Sequence, residues 1–134
     1  MRIDAQSHVW PVPYLDYLRT RTEQPRAFLD NNALYIDTEK WRRRAMPGHS
    51  DIDGKLKIMD QNGIDVTVLS PNDPGPERFG ADGPLVARML NDFIAAQTRD
   101  HPDRFVGLCE LPLNHETEAK AELERAIHEL DMRG

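Results

Sequence analysis

The run DIDGKLKIMDQNGIDVTVLS, residues 51–70, decides how the rest of the chain reads. Asp51 is a helix N-cap residue, Ile52, Leu56 and Met59 follow a three-to-four spacing, and Gly63 is a C-terminal stop. Immediately beyond, Ile64 to Ser70 reads as a strand whose Val66, Val68 and Leu69 are apolar on both faces. That pattern belongs to a strand covered on both sides, as parallel strands are. A helix delivered into such a strand across one glycine is the building unit of parallel α/β sheets.

Downstream, Pro71-Asn72-Asp73-Pro74-Gly75-Pro76 forces a loop, and the pairs Leu85/Val86, Met89/Leu90 and Phe93/Ile94 recur every four residues. They predict a helix from Pro84 to Arg99. A strand from Arg104 to Cys109 follows, with Cys109 as a small buried strand residue. The last helix spans Glu116 to Leu130, with Ala119, Leu123, Ala126, Ile127 and Leu130 on one side. Upstream, residues 2–8 read as the first strand, which Pro11 and Pro13 stop before a short helix over Tyr14 to Arg19. Residues 20–50 read as an irregular insertion after strand 1. It contains a hairpin over residues 28–36 turning at Asn31-Asn32, and the basic run Arg42, Arg43 and Arg44, which reads as a solvated helix face with recognition of a substrate carboxylate as its alternative role.

The resulting order, strand, insertion and helix, strand, helix, strand, helix, is an α/β alternation with right-handed crossovers. The 134 residues form a single domain, 1–134. Three parallel strands with helices on one side would leave the other face and both edges bare. Either helices cover both faces of a small open sheet, or the chain is the first part of a closed (β/α) barrel of about 250 residues.

Composition narrows the function classes. Charged residues make up 30% of the chain and the formal net charge is −6, which argues against a nucleic-acid partner. No apolar run approaches the roughly 20 residues that cross a bilayer, and the N-terminus lacks a signal-peptide pattern, so cytoplasmic residence is the expectation. The single cysteine gives no disulfide framework and no paired-cysteine metal site. No Ser/His/Asp constellation or glycine-rich phosphate loop is present.

The first strand carries the chemistry. Strict alternation puts Asp4, Gln6 and His8 on one face, opposite Ile3, Ala5 and Ser7, and polar groups aimed into a core need partners or a metal. Trp10 and the Ser70-Pro71-Asn72 turn follow the ends of the first two strands, where a barrel's active site opens. Trp10 and Asn72 are therefore candidate substrate contacts, and packing and turn chemistry are their alternative roles. Asp4 reads as a supporting carboxylate. His49, His101, His115 and His128 have no ligand-like spacing and read as structural or exposed.

Ile3-Asp4-Ala5-Gln6-Ser7-His8 resembles the opening I-D-x-H-x-H strand of the amidohydrolase superfamily, in particular the amidohydrolase-2 group with its aminocarboxymuconate-semialdehyde decarboxylase-like enzymes. The resemblance continues through residues 59–70, Leu90-Asn91-Asp92-Phe93, residues 101–105, Leu111-Pro112-Leu113 and residues 121–126. It implies a partial (β/α)8 barrel, about the first three β/α units, with a divalent metal, zinc or manganese, at the C-terminal mouth. It also implies hydrolysis or decarboxylation of a small carboxylic acid. His8 matches the second histidine of the pattern and Gln6 stands where the first would be, so His8 and Gln6 are the expected metal ligands. A carboxamide oxygen is a poorer zinc donor than imidazole, and weaker metal affinity is expected. The remaining ligands of such sites lie on later strands, so no robust turnover is expected of the 134 residues alone. The expected partners are a small carboxylic-acid substrate and either further copies of the chain or a complementing barrel half. The alternative function is a non-catalytic oligomerising or binding module that reuses a truncated barrel.

Overall fold

The computed structural model describes residues 1–134 as two small sheets and four helices. In chain order these are β1 (Ile3–Val9), α1 (Val12–Thr20), β2 (Arg26–Asp30), β3 (Ala33–Asp37), β4 (Arg42–Arg44), α2 (Ile52–Asn62), β5 (Val66–Pro71), α3 (Gly83–Asp100), β6 (Phe105–Gly107) and α4 (Glu116–His128). The first sheet is parallel in the order β1-β5-β6, and the second is antiparallel in the order β2-β3-β4. The β/α alternation is the one expected from the sequence.

Local chemistry explains the boundaries around the deciding segment. The Asp51 carboxylate accepts from the Gly54 N–H at 2.9 Å, which caps α2, and Gly63 ends it with φ of +60°. The hairpin turns at Asn31 and Asn32, both at positive φ, the requirement of a two-residue type I′ turn.

The parallel sheet is covered on one face only. Val9, Leu69 and Phe105 pack with Met59 of α2, Ile94 and Ala95 of α3 and Ala126 of α4. Helix α3 lies so close to β6 that a Cβ on Gly107 would stand 2.7 Å from Ile94 Cγ2. The opposite face, with Ile3, Val66, Val68 and Val106, is half-buried or open, and Ile3 is 52% exposed. Beyond α4 the chain turns back along the free edge of β6: Arg133 N–H donates to Gly107 O at 3.1 Å and Cys109 N–H to Gly134 O at 2.6 Å.

Four details differ from the sequence reading. The segment expected to be irregular holds the antiparallel sheet, which with α1 encloses Trp10, Tyr14, Leu18, Ala27 and Ile36. Arg42, Arg43 and Arg44 lie on strand β4 rather than a helix, because Asp37 on β3 draws Arg42 to 3.3 Å and Trp41 takes Arg43 over its ring at 4.6 Å. Cys109 is half-buried and outside β6, which is only three residues long. Helix α4 turns Ala119, Glu122 and Ala126 inward and leaves Leu123 and Ile127 at 41% and 36% exposure.

The cause of that last difference is a buried polar network. Asn91 of α3, fully buried, donates to Glu122 Oε1 at 2.8 Å and to Glu110 O at 2.9 Å, and accepts from Glu110 N–H at 2.8 Å. Arg125 grips both Glu122 oxygens at 2.7 and 2.9 Å and reaches Asp92 at 2.6 Å. The Glu122 and Asp92 carboxylates raise the Arg125 pKa, so its charge is fixed. An unpaired carboxylate at this depth is costly, so the network sets the rotation of α4 ahead of its apolar stripe.

Replacing Asn91 by Leu strands the Glu110 N–H and carbonyl and leaves Glu122 Oε1 with Arg125 as its one donor, and urea unfolding should show a loss of about 2–4 kcal/mol. Asp37 gives a pH-dependent counterpart. A hydrogen bond from Gln24, helped by Arg42 and Arg26, holds its carboxyl below the ordinary range against the opposing effect of burial. Its stabilisation is therefore complete above the unfolded-state pKa of about 4 and is lost as pH falls through the lower native value. Asp37→Asn should cost about 1 kcal/mol at neutral pH, and the gap from the unaltered chain should close in acid.

Candidate functional site

His8 lies near the C-terminal end of β1, paired in register with Ser70 of β5. Its Nδ1 stands 3.2 Å from Pro71 O and 3.1 Å from Ser70 Oγ. A carbonyl only accepts, so the proton of the ring sits on Nδ1 and Nε2 keeps its lone pair. That lone pair faces the Gln6 amide nitrogen at 3.2 Å. A ring held by its Nδ1–H on a backbone carbonyl, with Nε2 unprotonated, is the arrangement in which histidine ligates metals, and here the Gln6 N–H occupies that lone pair. The structure thus brings the two expected ligand residues together.

Asp4 does not join them. The register runs Asp4 opposite Thr67 and Ser7 opposite Leu69, three steps on β1 against two on β5. This slip breaks the strict alternation and turns Asp4 and Ser7 to the helix side. There Lys55 of α2 donates to Ser7 Oγ at 2.7 Å, and burial pushes the Lys55 pKa down while Asp4 opposes that shift.

Trp10 is 1% exposed and belongs to the core under α1. Its indole N–H donates to Asp73 O at 3.1 Å, and its ring packs on His49 at 4.5 Å between centroids. It therefore supports the mouth from beneath rather than presenting a wall to it. Asn72 is half-buried next to the same strand ends, and its Oδ1 accepts from Asp73 N–H at 3.1 Å, which is turn chemistry.

Two residues at this end carry no functional role in the sequence reading, His49 because it reads as structural or exposed and Glu110 because it is not singled out. His49 lies on the 3-10 turn Pro47–His49, which docks on Trp10. Burial lowers its pKa and the nearby Lys55 and His8 lower it further. Glu110 follows β6, and burial with the neighbouring Glu77 and Asp73 carboxylates raises its pKa. Its place directly after a strand was a readable signal for Glu110. His49 had none, because a tertiary contact brings it there. A cavity of about 430 Å3 lined by Thr98, Arg99, Phe105, Glu129 and Arg133 lies at the free edge of β6, away from His8.

Within the chain no group of three or more His, Cys, Asp or Glu is placed to hold a metal ion. His8 and Gln6 fit one edge of a divalent site by their donor chemistry, an imidazole nitrogen beside a carboxamide, but four or more donors are usual. No helix is long and apolar enough to cross a membrane.

Residues 3–134 match the protein family described as Amidohydrolase. The gamma-resorcylate decarboxylase of Rhizobium sp. (strain MTP-10005) is 32% identical over 110 residues, covering 79% of this chain and 33% of that protein. Among solved structures, 5-carboxyvanillate decarboxylase from Sphingomonas paucimobilis is similar with a TM-score of 0.76 at 26% identity, over 99% of this chain and 41% of that one. A dihydroxybenzoic acid decarboxylase from Polaromonas sp. JS666, with bound manganese and the inhibitor 2-nitroresorcinol, gives a TM-score of 0.65 at 25% identity over 98% and 36% of the two chains. The chain spans about a third of the length of the curated relatives it matches. Its three β/α units are a partial (β/α)8 barrel.

The two histidine tautomers are directly measurable. Long-range proton–nitrogen NMR correlations should show His8 protonated on Nδ1 and His49 on Nε2. Ser70→Ala should leave the His8 assignment unchanged, because Pro71 O still takes the proton.

Proposed function

The chain belongs to the amidohydrolase family, and we propose that it forms the N-terminal part of a metal-dependent decarboxylase or hydrolase acting on a small, aromatic carboxylic acid. The observation that carries this reading is the His8 ring, fixed through Nδ1–H on Pro71 O so that its Nε2 lone pair is directed at the Gln6 carboxamide near the C-terminal end of β1. His8 would be the principal ligand of such an ion through Nε2, and Gln6 the weaker second through its carboxamide oxygen. A zinc or manganese ion held by these residues would supply Lewis-acid polarisation of a substrate oxygen. The manganese in the Polaromonas relative supports a divalent ion, and the substrate names of the relatives support an aromatic acid. Asn72, whose backbone N–H is taken by Val9 O but whose side-chain Nδ2 has no partner in the chain, is a substrate contact at the same strand ends. Trp10 contributes by holding the loops that carry Asp73 and His49.

Residues 1–134 offer two donors, so the site is completed by strands from another stretch of polypeptide. The open face of the parallel sheet is where such strands would pack, and it also favours a second reading. Copies of the chain could cover one another there without any catalysis, as a homo-oligomeric binding module. Sedimentation separates the two: a compact monomer that still binds metal excludes mutual covering.

Calorimetric titration tests the site. Zinc and manganese should bind the chain weakly, His8→Ala should abolish binding, and Gln6→His should tighten zinc by about tenfold or more. Gamma-resorcylate should show no fast turnover with either ion. Metal affinity indifferent to His8→Ala would overturn the site, and rapid decarboxylation would overturn its incompleteness.

A further inference from the structure

His49 is the polar group at the mouth that the reading above leaves unused. Trp10 N–H donates to His49 O at 2.8 Å and Ser50 Oγ donates to Trp10 O at 2.6 Å, so the 46–50 segment is clamped two residues beyond His8. The His49 ring is fixed on Trp10, at 4.5 Å and 59°. Met46 N–H donates to His49 Nδ1 at 3.2 Å. An amide nitrogen only donates, so Nδ1 holds the lone pair and the hydrogen of the neutral ring is on Nε2. That Nε2–H makes no hydrogen bond within the chain.

We propose that the His49 Nε2–H is a hydrogen-bond donor to an oxygen of the carboxylic substrate bound at the His8 mouth. The inference rests on the reading of that mouth as the substrate site and deepens it by naming a substrate-binding residue. A ligand role for His49 is the competing use of an imidazole at this place. It would need the lone pair on Nε2 and hence a hydrogen on Nδ1, facing the Met46 N–H donor with no acceptor between them. A carboxylate or phenolate oxygen needs only the N–H that the ring already presents. The Lys55 ammonium lies near enough to act on the ring, and a cation there favours an anionic partner. Its rotamer is locked by Trp10, so little side-chain entropy is lost on binding.

The test uses the isotope-labelled chain loaded with zinc and gamma-resorcylate as probe. The His49 Nε2 resonance should shift saturably with the probe, together with resonances of His8. His49→Ala should weaken binding about tenfold, the scale of one hydrogen bond to a charged group, and His49→Gln, which keeps an N–H donor, should recover most of it. Unchanged affinity in His49→Ala alongside lost affinity in His8→Ala would overturn this inference and leave the site standing. No binding by the unaltered chain would overturn both. If His49→Ala disturbs the fold, seen in the Trp10 indole N–H resonance, the direct Nε2 shift and the Gln variant decide the matter: a static Nε2 resonance at saturation overturns the assignment.

Discussion

The register of β1 against β5 is the constraint on which the rest depends. Between Asp4 and Ser7 the first strand advances three residues while its partner advances two. Every side chain before the slip is thereby turned relative to those after it. After the slip, Ser7 and Val9 face the helices and His8 faces the open side of the sheet, in contact with Gln6. A strand in perfect alternation would send Asp4 to the same side and place a carboxylate beneath His8. As it is, Asp4 works on the helix side near Lys55, whose ammonium it helps to keep charged despite burial.

Packing on the helix side then holds the slipped register in place. Val9 and Leu69 are fully buried with Met59 and Ile94 in one core, and a return to strict pairing would turn Val9 out of it and bring Gln6 and His8 to the helix side. Helix α3 transmits the constraint to α4 through Asn91, Glu122 and Arg125. Because the network is satisfied on every arm, it fixes one rotation of α4 where the apolar residues alone would allow several. The cost is visible as exposed Leu123 and Ile127, which a rotation toward the core would have buried.

Much of this was legible in the sequence, and the rest was hidden for identifiable reasons. Asp51, Gly63 and the Asn31-Asn32 turn act locally, through caps and positive φ, so their roles follow from neighbours in the chain. The β/α order followed from periodicity, and the family from ordered motifs spread over the chain. The slip in β1 was invisible because it depends on how Thr67 and Leu69 meet the strand, not on anything between residues 3 and 9. Arg42, Arg43 and Arg44 read as a solvated helix face because charge runs usually are one. Here Asp37 and the ring of Trp41 recruit them to a strand. Glu122 sits on a helix rich in acidic residues, and nothing local marks it as the buried one.

The same distinction separates the halves of the mouth. Gln6 and His8 are two residues apart and could be paired from the sequence, whereas His49 is brought in by a backbone bond to Trp10 across forty residues of loop and sheet. That antiparallel excursion, β2 to β4, therefore has a use beyond filling space above α1. It returns the chain to the end of β1 with the Pro47–His49 turn held against Trp10 and Ser50 locked to the Trp10 carbonyl. A ring anchored by a buried tryptophan on one side and by a main-chain N–H on its own Nδ1 has no freedom to turn its Nε2–H elsewhere. What a long insertion can contribute to a barrel's mouth is thus a rigid donor that no barrel strand supplies. A loop tied down at a single point would deliver the same imidazole with neither tautomer nor direction defined.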